Sequence, residues 1–334
     1  MVRYGVIGFG LHAVRRLMPG FALATKSRVQ ALSRRDIDKA RESARHYDIP
    51  LAFDSAEELC KSPDVDAVFV ATPNSLHLED VLTAIKCRKP VLCEKPMAMN
   101  ADQCRHMIEA SRKANVRLGI AHVFRFEDST ARLRERVASG QIGNPIFARS
   151  EFSFPAGGGH PRTWLNDASI AGGGPVADIG VHCIDTLRYV LQDDVVRVAA
   201  RGARDDKSGT VESAAVLALE FARGTLGSVM VSFRADYRTP FEIVGDAGVL
   251  RADDALNVER PITIQLRRGV EIVEQETVTN YQAYARQVDA FADAIEGKGE
   301  FAVPGEEGWQ NQLILDAAYR SMATGKLEEV IKVK

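Results

Sequence analysis

Val6-Ile7-Gly8-Phe9-Gly10-Leu11-His12-Ala13 runs from an apolar strand through a glycine turn into the start of a helix. The G-x-G-x-x-A spacing gives each small residue a task. Gly8 permits the tight turn, Gly10 lets the backbone approach a pyrophosphate, and Ala13 allows close helix–strand packing. The leading N–H groups of the helix remain for phosphate oxygens. So short a motif carries weight only in the right context. Here Val29 to Leu32, Ala67 to Ala71, Val91-Leu92 and Arg117 to Ala121 read as further strands. Between them, 11–24, 35–47, 75–87 and 101–114 place apolar residues at helical spacing with their charges opposite. Such alternation implies right-handed βαβ units and a parallel sheet, and so predicts a nucleotide-binding α/β domain over residues 1–121.

Beyond about residue 125 the texture changes. Segments 145–153, 195–203, 211–222, 225–235, 240–245 and 262–275 are rich in Val, Phe, Thr and Leu and follow one another through Gly, Asp or Arg-Gly turns. Little helix lies between them, which points to an antiparallel sheet. Helical spacing returns at about 281–296 and 307–323. The expectation is a second domain of α+β type over residues 122–334, with a largely antiparallel open sheet.

Composition agrees with two domains, since 334 residues at roughly 150 per domain make about two. With 46% hydrophobic and 26% charged residues the chain has an ordinary globular make-up. Lys+Arg number 43 against 45 Asp+Glu, a net charge of −2, so no global basic field argues for nucleic acid or an anionic membrane. Cys60, Cys87, Cys93, Cys104 and Cys183 are scattered without a C-x-x-C pair, which fits neither a zinc site nor a disulfide framework. No apolar run reaches the roughly 18 residues needed to span a bilayer, and no secretory pattern opens the chain. A cytoplasmic protein that recognises its partner through a local site is the expectation.

About 20 residues past the glycine motif, an NAD-specific protein places a carboxylate on the ribose 2′-OH. This chain has Ser33-Arg34-Arg35 there. A hydroxyl and guanidinium groups suit a 2′-phosphate, so NADP is favoured over NAD. The plain alternative is a solvated helix start with Asp36 as its cap.

Two further stretches carry chemistry. Ala71-Thr72-Pro73-Asn74-Ser75-Leu76-His77 and Cys93-Glu94-Lys95-Pro96 both end strands, where open parallel sheets bind ligands. Pro96 cannot continue a ladder, and Lys95 is directed into the crevice, able to stabilise a developing alkoxide. Otherwise Lys95 is a surface partner of Glu94. In Gly172-Gly173-Gly174-Pro175-Val176-Ala177-Asp178-Ile179-Gly180-Val181-His182-Cys183-Ile184-Asp185, uniform helix would put Asp178, His182 and Asp185 on one face. An imidazole held by carboxylates serves as acid or base near neutral pH. The competing reading is a capping aspartate and a core histidine. Metal binding has little support from one histidine and two carboxylates, so no metal is expected.

Taken in order, G-x-G-x-x-A, T-P-N-x-x-H, C-E-K-P and G-G-G-x-x-x-D-x-x-x-H-x-x-D resemble the Gfo/Idh/MocA oxidoreductases over essentially the whole chain. Cys93 to Met99 and Gly172 to Asp194 look most like members that use NADP on anhydro-sugars, D-xylose or dihydrodiols. The resemblance implies an N-terminal Rossmann domain, a C-terminal α+β domain whose sheet forms a homodimer or homotetramer interface, and hydride transfer to or from a sugar or polyol. It maps the catalytic lysine onto Lys95, the acid/base histidine onto His182, and the aspartate that orients substrate or histidine onto Asp178. Cofactor contacts carry over to Gly8, Phe9, Gly10, Ser33, Thr72, Pro73, Asn74, His77, Glu94, Trp164 and Tyr284. Leu11, Ala13, Arg34 and Lys95 adjoin them. Arg125, His160 and Trp164 join Asp178 and His182 as substrate-pocket candidates. An NADP-binding sensor without turnover is the alternative.

Overall fold

The computed structural model describes residues 1–156 and 162–330. Two compact units are present: Met1–Val123 with Gln282–Trp309, and Phe124–Tyr281 with the chain from Gln310 onward.

In the first unit, β1 (Val2–Ile7), β2 (Ser27–Ser33), β3 (Leu51–Phe53), β4 (Ala67–Val70), β5 (Val91–Cys93) and β6 (Leu118–Ile120) form one sheet in the order β3-β2-β1-β4-β5-β6. Every pairing is parallel. Helices on both faces bury the strands, and all of Ala67–Val70 is solvent-free. Strand order reverses about β1 and β4, so the crevice beyond their carboxyl ends is the natural ligand site. β3 and the helix Ala56–Lys61 are absent from the sequence expectation, because three half-buried residues show no alternation. The helix Ala101–Ala114 matches its predicted span. Asn100 caps it by accepting from Gln103 N–H at 3.0 Å, and Asn115 ends it at φ 50°.

Gln282–Trp309 belong to this unit, whereas the sequence expectation leaves them in a continuous second domain. The hydroxyl of fully buried Tyr4 requires an acceptor, and it donates to the carbonyl of Val288 at 2.9 Å in the helix Ala283–Ile295. Ser27 Oγ donates to the same carbonyl at 3.1 Å, and Ile120 N–H bonds Val303 O at 2.9 Å. An amphipathic helix declares a buried face but not which unit will bury it.

The second unit contains β7 (Pro145–Ser153), β8 (Val195–Ala203), β9 (Ala214–Phe221), β10 (Leu226–Ser232), β11 (Phe241–Gly245), β12 (Val249–Ala252), β13 (Ile262–Arg268), β14 (Glu271–Val278) and β15 (Glu328–Glu329). Their order is β14-β13-β12-β11-β7-β10-β9-β8-β15, antiparallel throughout except for the β7–β10 pair. Leu217, Leu219, Val229, Val231, Ile243, Leu250 and Ile264 are buried on one face, where the helices Asp128–Ala138 and Val181–Leu191 contribute to the core. The single strand expected over 262–275 is a hairpin, β13 and β14, turning at Gly269 with φ 57°. Asp128–Ala138 and β12 are likewise absent from the expectation. No helix among the described residues is long and apolar enough to cross a membrane.

Glu127, directly before Asp128–Ala138, is 1% exposed. Its Oε2 accepts from Asn280 Nδ2 at 3.2 Å, while Oε1 is buried with no partner. Burial pushes this carboxyl well above its ordinary range, so the fold favours the protonated form. That contribution is full below the unfolded pKa, near 4.3, and is lost as pH rises toward the folded value. Glu127→Gln should therefore raise stability at pH 8, where the buried carboxyl is penalised in the folded state. At pH 4 the difference should vanish; urea denaturation at the two pH values checks it, and equal effects at both contradict it.

Candidate active site

Gly8 follows β1 with φ +82°, and a Cβ there would lie 2.6 Å from Thr72 Cγ2 and 2.7 Å from Thr72 N. Glycine is thus required both for backbone conformation and for close approach to the turn after β4. Gly10 is exposed, and a Cβ on it would meet only Gly8 O, at 3.8 Å. Its open face can receive a pyrophosphate, so the glycine turn fits a dinucleotide. Phe9 is buried with its ring 5.6 Å from that of Tyr47, and its N–H is held by Ser33 O at 3.2 Å. Ala13 is buried and Leu11 half-buried in the helical segment that continues as a π-turn over Ala13–Leu17.

At the end of β2, Ser33 is buried, Arg34 half-buried and Arg35 exposed. Arg34 Nη1 donates to Ser43 Oγ at 2.8 Å. Asp36 accepts from Asp38 and Lys39 N–H, both at 3.1 Å, and these backbone bonds hold its carboxyl below the ordinary range. The nearby carboxylate is therefore a helix cap.

The turns after β4 and β5 are braced together. Thr72 Oγ1 donates to Asp80 Oδ2 at 2.7 Å, and burial pushes the Asp80 carboxyl up to about 6. Pro73 accepts from Leu76 N–H at 2.9 Å, and Asn74 is buried. His77 is fully buried, with Nδ1 3.0 Å from Pro96 O and Nε2 3.0 Å from Thr72 O. Burial lowers its pKa and favours a neutral ring. The sequence resemblance makes His77 a cofactor contact; in the structure it braces the two turns from between their carbonyls.

Glu94 is also buried, with Oε1 2.8 Å from His12 Nε2 and Oε2 accepting from Lys95 N–H at 3.2 Å. Burial alone would raise its pKa, but His12 and then Lys95 outweigh it, so the carboxyl stays ionised below its ordinary range. His12, a variable position of the glycine motif, thereby ties that motif to the Cys93-Glu94-Lys95-Pro96 turn. Nothing in the local spacing signals this pairing. Lys95 is half-buried beside it, and half-buried Tyr284 packs edge-on to His12 with ring centres 6.3 Å apart.

In the second unit, Gly172 at φ 76° ends the helix Ala168–Ala171. The next helix opens as a π-turn, Val176–Gly180, before continuing as Val181–Leu191. Asp178 thus lies in the wider π-turn, and His182 and Asp185 in the α-helix that continues from it. Asp178 lies 3.8 Å from Arg162 Nη2, and the His182 ring packs edge-on against Phe124 at 4.8 Å and beside Phe152 at 6.3 Å. Asp185 accepts from Arg125 Nε at 2.9 Å, Arg125 Nη2 at 2.6 Å and Asn311 Nδ2 at 2.7 Å. Arg125, expected at the substrate, is buried in this ion pair, with its guanidinium 5.2 Å from the centre of the Tyr189 ring. Removing one partner of such a buried pair costs about 3–5 kcal/mol. Trp164 is half-buried in the turn Thr163–Asn166, and His160 lies outside the described residues.

Residues 2–122 match the family profile described as an oxidoreductase family NAD-binding Rossmann fold, and residues 130–251 match the GFO/IDH/MocA C-terminal domain. The chain belongs to the Gfo/Idh/MocA oxidoreductase family. A 1,5-anhydro-D-fructose reductase of Ensifer adhaerens is 34% identical, covering 99% of both chains. A D-xylose 1-dehydrogenase (NADP(+)) of Haloferax volcanii is 31% identical over 98% of this chain and 99% of its own. Among solved structures, the aldose-aldose oxidoreductase of Caulobacter crescentus complexed with glycerol superposes with a TM-score of 0.90 at 26% identity, covering 98% of this chain and 99% of that one. This Gfo/Idh/MocA chain is an oxidoreductase of the class acting on CH–OH groups, with an NAD(P)-binding Rossmann domain.

The two motif glycines should separate under mutation. Gly10→Ala should leave the melting temperature unchanged yet weaken NADPH binding at least tenfold by fluorescence titration, because its Cβ fills only the open face. Gly8→Ala should lower both, since its Cβ meets the backbone of Thr72. Wild-type NADPH affinity in Gly10→Ala would contradict this cradle.

Proposed function

We propose that the protein is an NADP(H)-dependent oxidoreductase that interconverts a sugar, polyol or related hydroxy compound with its keto form. The observation that carries this reading is the position of Lys95, at the carboxyl end of β5 beside an ionised Glu94 that is itself bonded to the glycine motif. A bound dinucleotide supplies the hydride acceptor or donor. Gly8, Gly10, Thr72 and Asn74 form its cradle; Ser33, Arg34 and Arg35 take the 2′-phosphate, with Asp36 engaged as a cap. Tyr284 and Trp164 complete the cofactor contacts.

Lys95 donates a hydrogen bond to the reacting oxygen and stabilises its alkoxide character. His182 removes the proton from that oxygen in oxidation and returns it in reduction, a role suited to an imidazole near neutral pH. Asp178 orients the imidazole or a neighbouring substrate hydroxyl, and Trp164 offers a flat apolar face to a sugar ring. Arg125 acts from behind, through Asp185, on the helix that bears His182. The relatives' substrates, an anhydro-keto sugar and D-xylose, support the carbohydrate class. Exposed Phe147, Val216 and Leu226, on the sheet of the second unit, support a homodimer or homotetramer, in keeping with a cytoplasmic enzyme.

Lys95→Ala should lower kcat by about 10²–10³-fold or more, the usual effect of losing a preorganised electrostatic donor, while NADPH affinity stays within about twofold. Near-normal turnover would reject the mechanism. KM should be lower for NADPH than for NADH, and Arg34→Ala should narrow the gap; equal or better use of NADH by the unaltered protein would reject the cofactor preference.

A further inference from the structure

We infer that Glu212 and Tyr319 are positioning residues that set the aim of His182 by fixing the start of its helix. The inference rests on His182 being the acid/base group, as proposed above. Glu212 is buried in the connection between β8 and β9. Its Oε1 accepts from Gly174 N–H at 3.2 Å and from Val176 N–H at 3.0 Å, and its Oε2 lies 3.1 Å from Gly174 N. Tyr319, in the helix Gly305–Thr324, donates its hydroxyl to Oε1 at 3.1 Å.

These contacts act on a single point. Gly174 N–H is held by Glu212, and Gly174 O accepts from Asp178 N–H at 3.0 Å. The π-turn Val176–Gly180 then runs without a break into Val181–Leu191. The carboxylate supplies to this turn what a local side-chain cap supplies to an ordinary helix, and Pro175, directly before it, makes no such bond. Moving Gly174 therefore moves Asp178 directly and His182 one turn later.

The same arrangement accounts for the glycine run. A Cβ on Gly173 would lie 1.7 Å from Tyr319 Oη, and one on Gly174 would lie 2.1 Å from Glu212 O. Any larger residue at either position would collide with Tyr319 or Glu212. Burial raises the Glu212 carboxyl above its ordinary range, against the pull of Val176 and Gly174 N–H and the Tyr319 hydroxyl. An acceptor so placed is expensive to leave without donors, which makes the cluster cooperative.

The test reads the imidazole itself and needs no substrate. In the full-length protein, NMR ring signals of the histidines are assigned, with His182→Asn identifying the signal of His182. Tyr319→Phe, which removes one hydroxyl and keeps the ring, and Glu212→Gln should each displace the His182 signals while those of His12 and His77 stay in place. The double variant should displace them no further than Glu212→Gln alone, as expected for residues acting as a unit. Unmoved His182 signals in a folded Tyr319→Phe or Glu212→Gln protein would overturn the inference. Turnover of D-xylose and 1,5-anhydro-D-fructose by His182→Asn separates the two claims, because a wild-type rate there rejects the acid/base reading and leaves the positional result standing.

Discussion

A carboxylate buried at the end of a parallel strand stays ionised only with a cation or strong donors against it, and Glu94 has His12 at 2.8 Å. The first unit is organised around that pair. It joins the turn that presents Gly8 and Gly10 to the turn that presents Lys95, and His77 adds a second link by lying between the carbonyls of Thr72 and Pro96. Three loops that are far apart in sequence thus become one rigid edge at the reversal point of the sheet. On the proposed reading, a cofactor cradle and a lysine held in one network would share the precision that catalysis demands.

Buried carboxylates serve the same purpose in the second unit. Asp185 takes the guanidinium of Arg125 together with the amide of Asn311, whose Oδ1 in turn accepts from Arg188 Nη1 at 2.8 Å. Glu212 takes the first N–H groups of the helical turn that carries Asp178. In both units, buried acidic side chains hold backbone and partners in place.

Much of this was legible where local physics fixes the residue. Gly8 could be read because its φ of +82° excludes most other side chains, and Ala101–Ala114 because its apolar residues recur at helical spacing. The parallel sense of the first sheet followed from strand–helix alternation, whereas its order and β3 did not. Features set by distant contacts were not legible. His12 meets a residue 82 positions away, and Glu212 reaches back 36 and 38 positions to the turn it holds. The π-turn at Val176–Gly180 leaves no periodic trace, and the ion pair of Asp185 with Arg125 joins residues 60 positions apart. The hairpin of β13 and β14 was hidden because Gly269 interrupts a run of strand-forming residues by a single position.

The proposed turnover of a carbohydrate-like hydroxyl or ketone rests on these braced motifs. Its most direct test follows nicotinamide absorbance, with NADP⁺ or NADPH, across aldoses, polyols, anhydro-sugars and cyclitols. Sustained cofactor oxidation or reduction is expected with at least one of these classes. Tight NADPH binding with no turnover across the whole panel would contradict it and mark the protein as a nucleotide sensor.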